Sequence, residues 1–88
     1  MATQRITLNP ANPVQGQTVR ICYNFNGSGI TTTQLQVTFS PNGPTTTYTV
    51  TTNSPCVDVP VPSDATSILV EDLVGDSPDK SATVTSKT

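Results

Sequence analysis

Two stretches decide how this chain folds: Thr18-Val19-Arg20-Ile21-Cys22-Tyr23-Asn24-Phe25 and Cys56-Val57-Asp58-Val59-Pro60-Val61. In the first, Val19, Ile21, Tyr23 and Phe25 recur at every second position; in the second, Val57, Val59 and Val61 do the same. A period of two belongs to a β-strand, whose successive side chains point to opposite faces. Each stretch therefore predicts a strand with one apolar face turned inward. Both cysteines fall on the outward parity, Cys22 beside Arg20 and Cys56 beside Asp58. If the strands are antiparallel neighbours with Cys22 opposite Cys56, Ile21 meets Val57, Val19 meets Val59, and every inward residue finds an inward partner. This register predicts a cross-strand disulfide on the outer surface of one sheet, closing a loop for roughly 3–4 kcal/mol on the chain-entropy account. The alternative is a pair of free thiols in a reducing compartment.

Outward from these stretches the same grammar repeats. Short alternating segments cover roughly 5–9, 18–25, 34–40, 46–52, 56–61, 67–73 and 81–86, separated by clusters of Pro, Gly, Asn and Ser. Seven such strands with no apolar set at helical spacing predict an all-β sandwich or small barrel, almost without helix. Alternation turns Ile6, Leu8, Leu35, Val37, Phe39, Tyr48, Val50, Ala82 and Val84 inward. The sixth segment is ambiguous, because Ile68 and Val70 argue for one parity while Leu69 and Leu73 argue for the other. In the third and fourth segments Gln34, Gln36, Thr38, Thr47, Thr49 and Thr51 turn outward. Asn42-Gly43, in the Ser40-Pro41-Asn42-Gly43-Pro44 connection, is expected to supply positive φ in a wide turn. Pro60 cannot donate to a ladder, so the fifth strand should be an edge. That favours a three-stranded sheet of the first, second and fifth segments facing a four-stranded sheet of the seventh, sixth, third and fourth.

With 88 residues, the chain is read as a single domain, 1–88. Charged residues make up 11% and the net charge is -2 with four basic side chains, too few to hold a phosphate backbone, so nucleic acid is not an expected partner. No run of about 20 apolar residues exists to span a bilayer. Met1-Ala2-Thr3-Gln4-Arg5 shows no apolar run of signal-peptide type. The apolar core is thin for this length, and such a domain gains from a covalent cross-link.

The stretch Asn9-Pro10-Ala11-Asn12-Pro13-Val14-Gln15-Gly16-Gln17-Thr18-Val19, then a strand and Asn26-Gly27-Ser28-Gly29, resembles the opening of immunoglobulin-like and fibronectin type III-like domains. So does Ser67 to Thr85, with its Asp before a Gly-containing turn and its alternating last strand. The nearest flavour is that of the small β-sandwich modules of microbial extracellular and cell-surface proteins. In the strand lettering of such domains the expected sheets are A-B-E and G-F-C-C′. The likeness is one of turn-and-strand pattern. The core Trp, the B–F disulfide and the tyrosine corner of antibody domains are missing, so no functional residue carries over. It implies an interaction or spacer module working outside the cell or on a surface, binding a protein or a polysaccharide. A small secreted glycan-binding or defence protein, and a structural subunit of a surface or virion assembly, are the competing readings.

Chemistry-bearing groups are sparse. There is no His to serve a Ser or Thr nucleophile as base, and no enzyme is expected. Glu71, Asp72, Asp76 and Asp79 lie close together, but without calcium-loop spacing and with Lys80 among them, so they read as a solvated acidic loop with no metal. No cofactor is implied. The aromatics Tyr23, Phe25, Phe39 and Tyr48 all turn inward, which leaves no stacking platform for a sugar. The outward row Gln36, Thr38, Thr47, Thr49 and Thr51 forms the candidate binding face; rows of this kind also suit ice-binding surfaces or plain sheet exterior. Thr83 and Thr85 form a second row, and Asn26-Gly27-Ser28 is an acceptor tripeptide for N-glycosylation in a loop.

Overall fold

Thr and Val dominate segments bounded by Pro, Gly and Asn, and β-branched side chains are stiff in a way that suits a pleated surface. In the computed structural model, which describes residues 3–87, these segments form seven strands and no helix. They are β1 (Ile6–Asn9), β2 (Thr18–Tyr23), β3 (Thr32–Ser40), β4 (Thr45–Thr51), β5 (Cys56–Pro60), β6 (Ser67–Asp72) and β7 (Lys80–Thr83). Two antiparallel sheets result, in the orders β1-β2-β5 and β4-β3-β6-β7. Their inward sides meet in one apolar cluster that draws Ile6, Leu8, Val19, Ile21 and Val59 from the first sheet. Leu35, Val37, Phe39, Val50, Ile68 and Val70 join it from the second, giving a β-sandwich-like all-β fold. No helix among the described residues is long and apolar enough to cross a membrane.

The register joining β2 to β5 follows the alternation: Cys22 stands opposite Cys56, Ile21 opposite Val57 and Val19 opposite Val59. β5 lies at an edge of its sheet. The Val61 N–H donates to the Gln17 carbonyl at 2.8 Å and the Tyr23 N–H to the Pro55 carbonyl at 2.9 Å. Bonds to β2 therefore fall on odd-numbered β5 residues, and Pro60 occupies a position whose N–H would have faced solvent.

Several expectations are corrected. The ambiguity of the sixth segment resolves to one parity, because the ladder of β3 with β6 runs unbroken from Ser40–Ser67 to Leu35–Asp72. Ile68 and Val70 are buried, while Leu73 lies past the strand end and is 49% exposed. Phe25 and Tyr48 are half-buried rather than interior. Phe25 lies beyond the end of β2, and Tyr48 sits on an edge strand of the wider sheet, where cover from the narrower one runs out. β3 begins at Thr32, and Thr33 is fully buried. β7 starts at Lys80 and stops at Thr83. Asn42-Gly43 does not supply positive φ, which among the described residues is confined to Gly16, Gly27 and Gly29. Instead the Ser40–Pro41 peptide is cis, and Gly43 is required by space: a Cβ there would strike the Phe39 side chain and lie 2.8 Å from its carbonyl oxygen.

Candidate functional site

The outer side of the four-stranded sheet carries the candidate face. Antiparallel pairing sets Thr38 opposite Thr45, Gln36 opposite Thr47, Gln34 opposite Thr49 and Thr32 opposite Thr51. The predicted residues Gln36, Thr38, Thr47, Thr49 and Thr51 thus lie on one surface of one strand pair, and Gln34 and Thr45 extend it. The hydroxyls of Thr38 and Thr45 are 3.2 Å apart. Thr51 sits at the rim and is half-buried, its hydroxyl accepting the Ser54 N–H at 3.1 Å. Neither β3 nor β4 contains a charged side chain. The patch offers neutral donors and acceptors on a pleated grid and ends where Leu69 and Glu71 of β6 stand opposite Thr38 and Gln36. Thr83 is exposed on β7; Thr85 lies past it, bridged in parallel to Val14.

The outer side of the three-stranded sheet is cross-linked. Cys22 and Cys56 form a disulfide across a register pair whose Cα atoms are 4.0 Å apart. Two pairs along, on the same face, Arg20 grips Asp58 with two hydrogen bonds of 2.9 and 3.3 Å. The hydrogen bond from Arg20 holds the Asp58 carboxyl below its ordinary range. Both side chains remain more than half exposed, so this ion pair is a weak contributor to stability.

Within the acidic group Asp76 and Asp79 are exposed, as a solvated loop requires, but Asp72 is not. Asp72, at the end of β6, turns in toward one end of the sandwich and gathers donors. The Tyr23 hydroxyl donates to its Oδ2 at 2.6 Å, and the buried Thr33 hydroxyl donates to its Oδ1. The N–H groups of Gly75 and Ser77 donate at 2.9 and 3.2 Å. Burial pushes the Asp72 carboxyl up, but the hydrogen bonds from Thr33, Tyr23, Gly75 and Ser77 outweigh it and hold the group below its usual range. Tyr23 is pushed well above the ordinary phenol range, first by burial and then by its bond to this carboxylate. A Cβ at Gly75 would lie 2.5 Å from both Asp72 Oδ2 and the Tyr23 hydroxyl, so a larger residue there would have to displace one of the pair. No group of three or more His, Cys, Asp or Glu residues among those described is placed to hold a metal ion. Asp76 approaches Arg5 at 4.0 Å, and Arg5 donates to the carbonyls of Asn24 and Asn26 at 3.2 and 2.7 Å, tying down the loop after β2.

Sequence alternation missed one concavity. A cavity of about 310 Å³ at one end of the sandwich is lined by Tyr23, Asn24, Phe25, Asn26, Thr52 and Pro55. The rings of Tyr23 and Phe25 are 4.7 Å apart and tilted by 59°. The signal for it was the aromatic pair running past the end of its strand, toward loop asparagines. The chain matches no protein-family model, no curated protein and no solved structure.

Proposed function

We propose that this protein is a non-catalytic interaction or spacer module of immunoglobulin-like or fibronectin type III-like architecture. It works outside the cell or on a cell or particle surface and docks a protein or polysaccharide on the outer face of β3 and β4. The observation that carries this reading is the neutral grid of Thr and Gln on that face, uninterrupted by charge over two paired strands. Such a face can hydrogen-bond an uncharged polymer or protein surface without desolvating an ion. The disulfide supports an oxidising location, since cross-strand bridges persist there and are reduced in a cytosol. The test is retention on a panel of insoluble polysaccharides and immobilised glycans, with Gln36→Glu/Thr49→Lys as the comparison. Wild-type retention that disappears in the double variant supports the reading; equal retention of both moves the contact elsewhere.

A second reading, a small glycan-binding protein, is favoured by the end cavity. Two aromatic rings, two asparagines and a threonine around about 310 Å³ suit the apolar face and hydroxyls of a sugar. In the same panel, loss of retention in Phe25→Ala with the double variant unaffected selects this reading.

A further inference from the structure

We propose that the β4 edge pairs antiparallel with the β4 edge of a second copy of this chain, joining two four-stranded sheets across a two-fold axis at Thr47. The inference rests on strand pairing and not on what the threonine face binds. Each sheet has two edges, formed by β1 and β5 in one and by β4 and β7 in the other. Proteins guard such edges with prolines, charges, short strands or covering segments. Three of these edges are guarded.

β5 carries Pro60 on its solvent side and engages Asp58 with Arg20. β1 is four residues long, and its outward Ile6 N–H donates to Gln4 Oε1 at 2.9 Å. β7 is covered by the segment before β2. Asn12 Nδ2 donates to the Thr83 carbonyl at 3.1 Å, the Thr85 N–H donates to Pro13 at 2.7 Å, and the Gln15 N–H donates to Thr85 at 3.0 Å.

β4 has no such device. It is seven residues long, without proline, charge or bulge, and its ladder to β3 is unbroken. The Thr52 N–H donates to the Thr31 carbonyl at 3.1 Å, so the alternation of an antiparallel ladder aims Thr46, Tyr48 and Val50 at β3. The backbone groups of Thr45, Thr47 and Thr49 point away, and among the described residues nothing bonds them. Thr51 is already closed on Ser54, donating at 3.2 Å and accepting at 3.1 Å.

The free groups select a register. Thr47 opposite Thr47 of the second copy, with Thr45 opposite its Thr49, pairs every open residue for about six hydrogen bonds and uses no occupied group. Outer-face contacts are then threonine on threonine, with no like charges opposed. On the inner side the exposed Thr46 meets the half-buried Tyr48 of the other copy, which gains cover. The contact is isologous and consumes the open edge of both chains, so assembly stops at two.

A single strand pair is a small interface, so association belongs at about 10 µM to 1 mM. Over that range, sedimentation equilibrium should show the mass rising from 9.2 kDa toward twice that value. Amide exchange should show Thr45, Thr47 and Thr49 gaining protection, while Tyr48 is protected throughout. Thr47→Pro removes an N–H that bonds nothing in the monomer and should abolish the dimer with the fold intact by circular dichroism. Thr47→Lys opposes two ammonium groups at the axis and should weaken it at least tenfold in low salt, partly restored by high salt. That second variant decides the matter if the proline variant fails to fold. Ser81→Lys, on the covered edge, should leave the mass unchanged. A monomer at every concentration, a dimer indifferent to Thr47→Lys, protection appearing elsewhere, or growth into larger assemblies overturns the proposal.

Discussion

The two sheets turn unlike surfaces to solvent. The outer side of β1-β2-β5 is fastened by a disulfide and, beside it, an ion pair, whereas the outer side of β4-β3 carries only neutral hydroxyls and amides. The difference follows from strand length. Strands of four, six and five residues share few ladder bonds, so the small sheet gains from cross-links. β3 and β4, with nine and seven residues, are held by ladder bonds and core contacts beneath them, which leaves their upper surface free of structural duty. One face secures the fold and the other is open to be used.

Breaking the fastened side should give the largest effect. Cys22→Ser/Cys56→Ser releases a loop spanning 34 positions and should cost about 3–4 kcal/mol, read by urea denaturation as a fall in midpoint with a steeper slope, because the unfolded chain without its cross-link exposes more surface. Next comes the carboxylate that clamps the sandwich end. Asp72→Ala leaves the Tyr23 and Thr33 hydroxyls without their acceptor and should cost about 3 kcal/mol by the same measurement.

The same residue sets an acid limit. Its folded-state pKa lies below the unfolded value, so its stabilisation is complete above the unfolded carboxyl range, about pH 4, and is lost as pH falls through the folded pKa. Thermal melts should therefore be flat from about pH 5 to neutrality and decline below about pH 4, with a shallower decline in Asp72→Asn. Tyr23 has the opposite sense. Its raised pKa means stability is lost as pH climbs above about 10, a limb that Tyr23→Phe should remove. The smallest effect belongs to the exposed pair: Arg20→Ala should shift the melting temperature less than either cysteine or Asp72 change, and less still in high salt.

Much of this contrast was legible in the residues. Parity placed both sulfurs outward, since a one-residue slip would have put Val57 and Val59 in water, and the register that pairs them is the one the strands adopt. Pro60 located an edge because it lacks a donor. The clamp at Asp72 was not legible: its partners Tyr23 and Thr33 lie 49 and 39 positions away, and nothing local distinguishes Asp72 from Asp76 or Asp79. Thr31-Thr32-Thr33 reads as a polar connection, yet Thr33 is buried because that carboxylate satisfies its hydroxyl. Phe25 and Tyr48 obey alternation but lie where the smaller sheet no longer covers them, a limit set by sheet width that no single strand records. The candidate face itself followed from outward parity, and the structure added Gln34 and Thr45 through their cross-strand partners.

The division of labour between the two outer faces is tested most directly by comparing two multiple variants in one thermal denaturation experiment at low protein concentration. Gln36→Glu/Thr47→Lys/Thr49→Lys, on the neutral face, should melt within about 4–8 °C of wild type, the shift expected for about 1 kcal/mol. Cys22→Ser/Cys56→Ser should melt lower by at least twice that interval. A neutral-face variant that falls as far as the cysteine variant would contradict the account, since that surface would then be part of what holds the protein together.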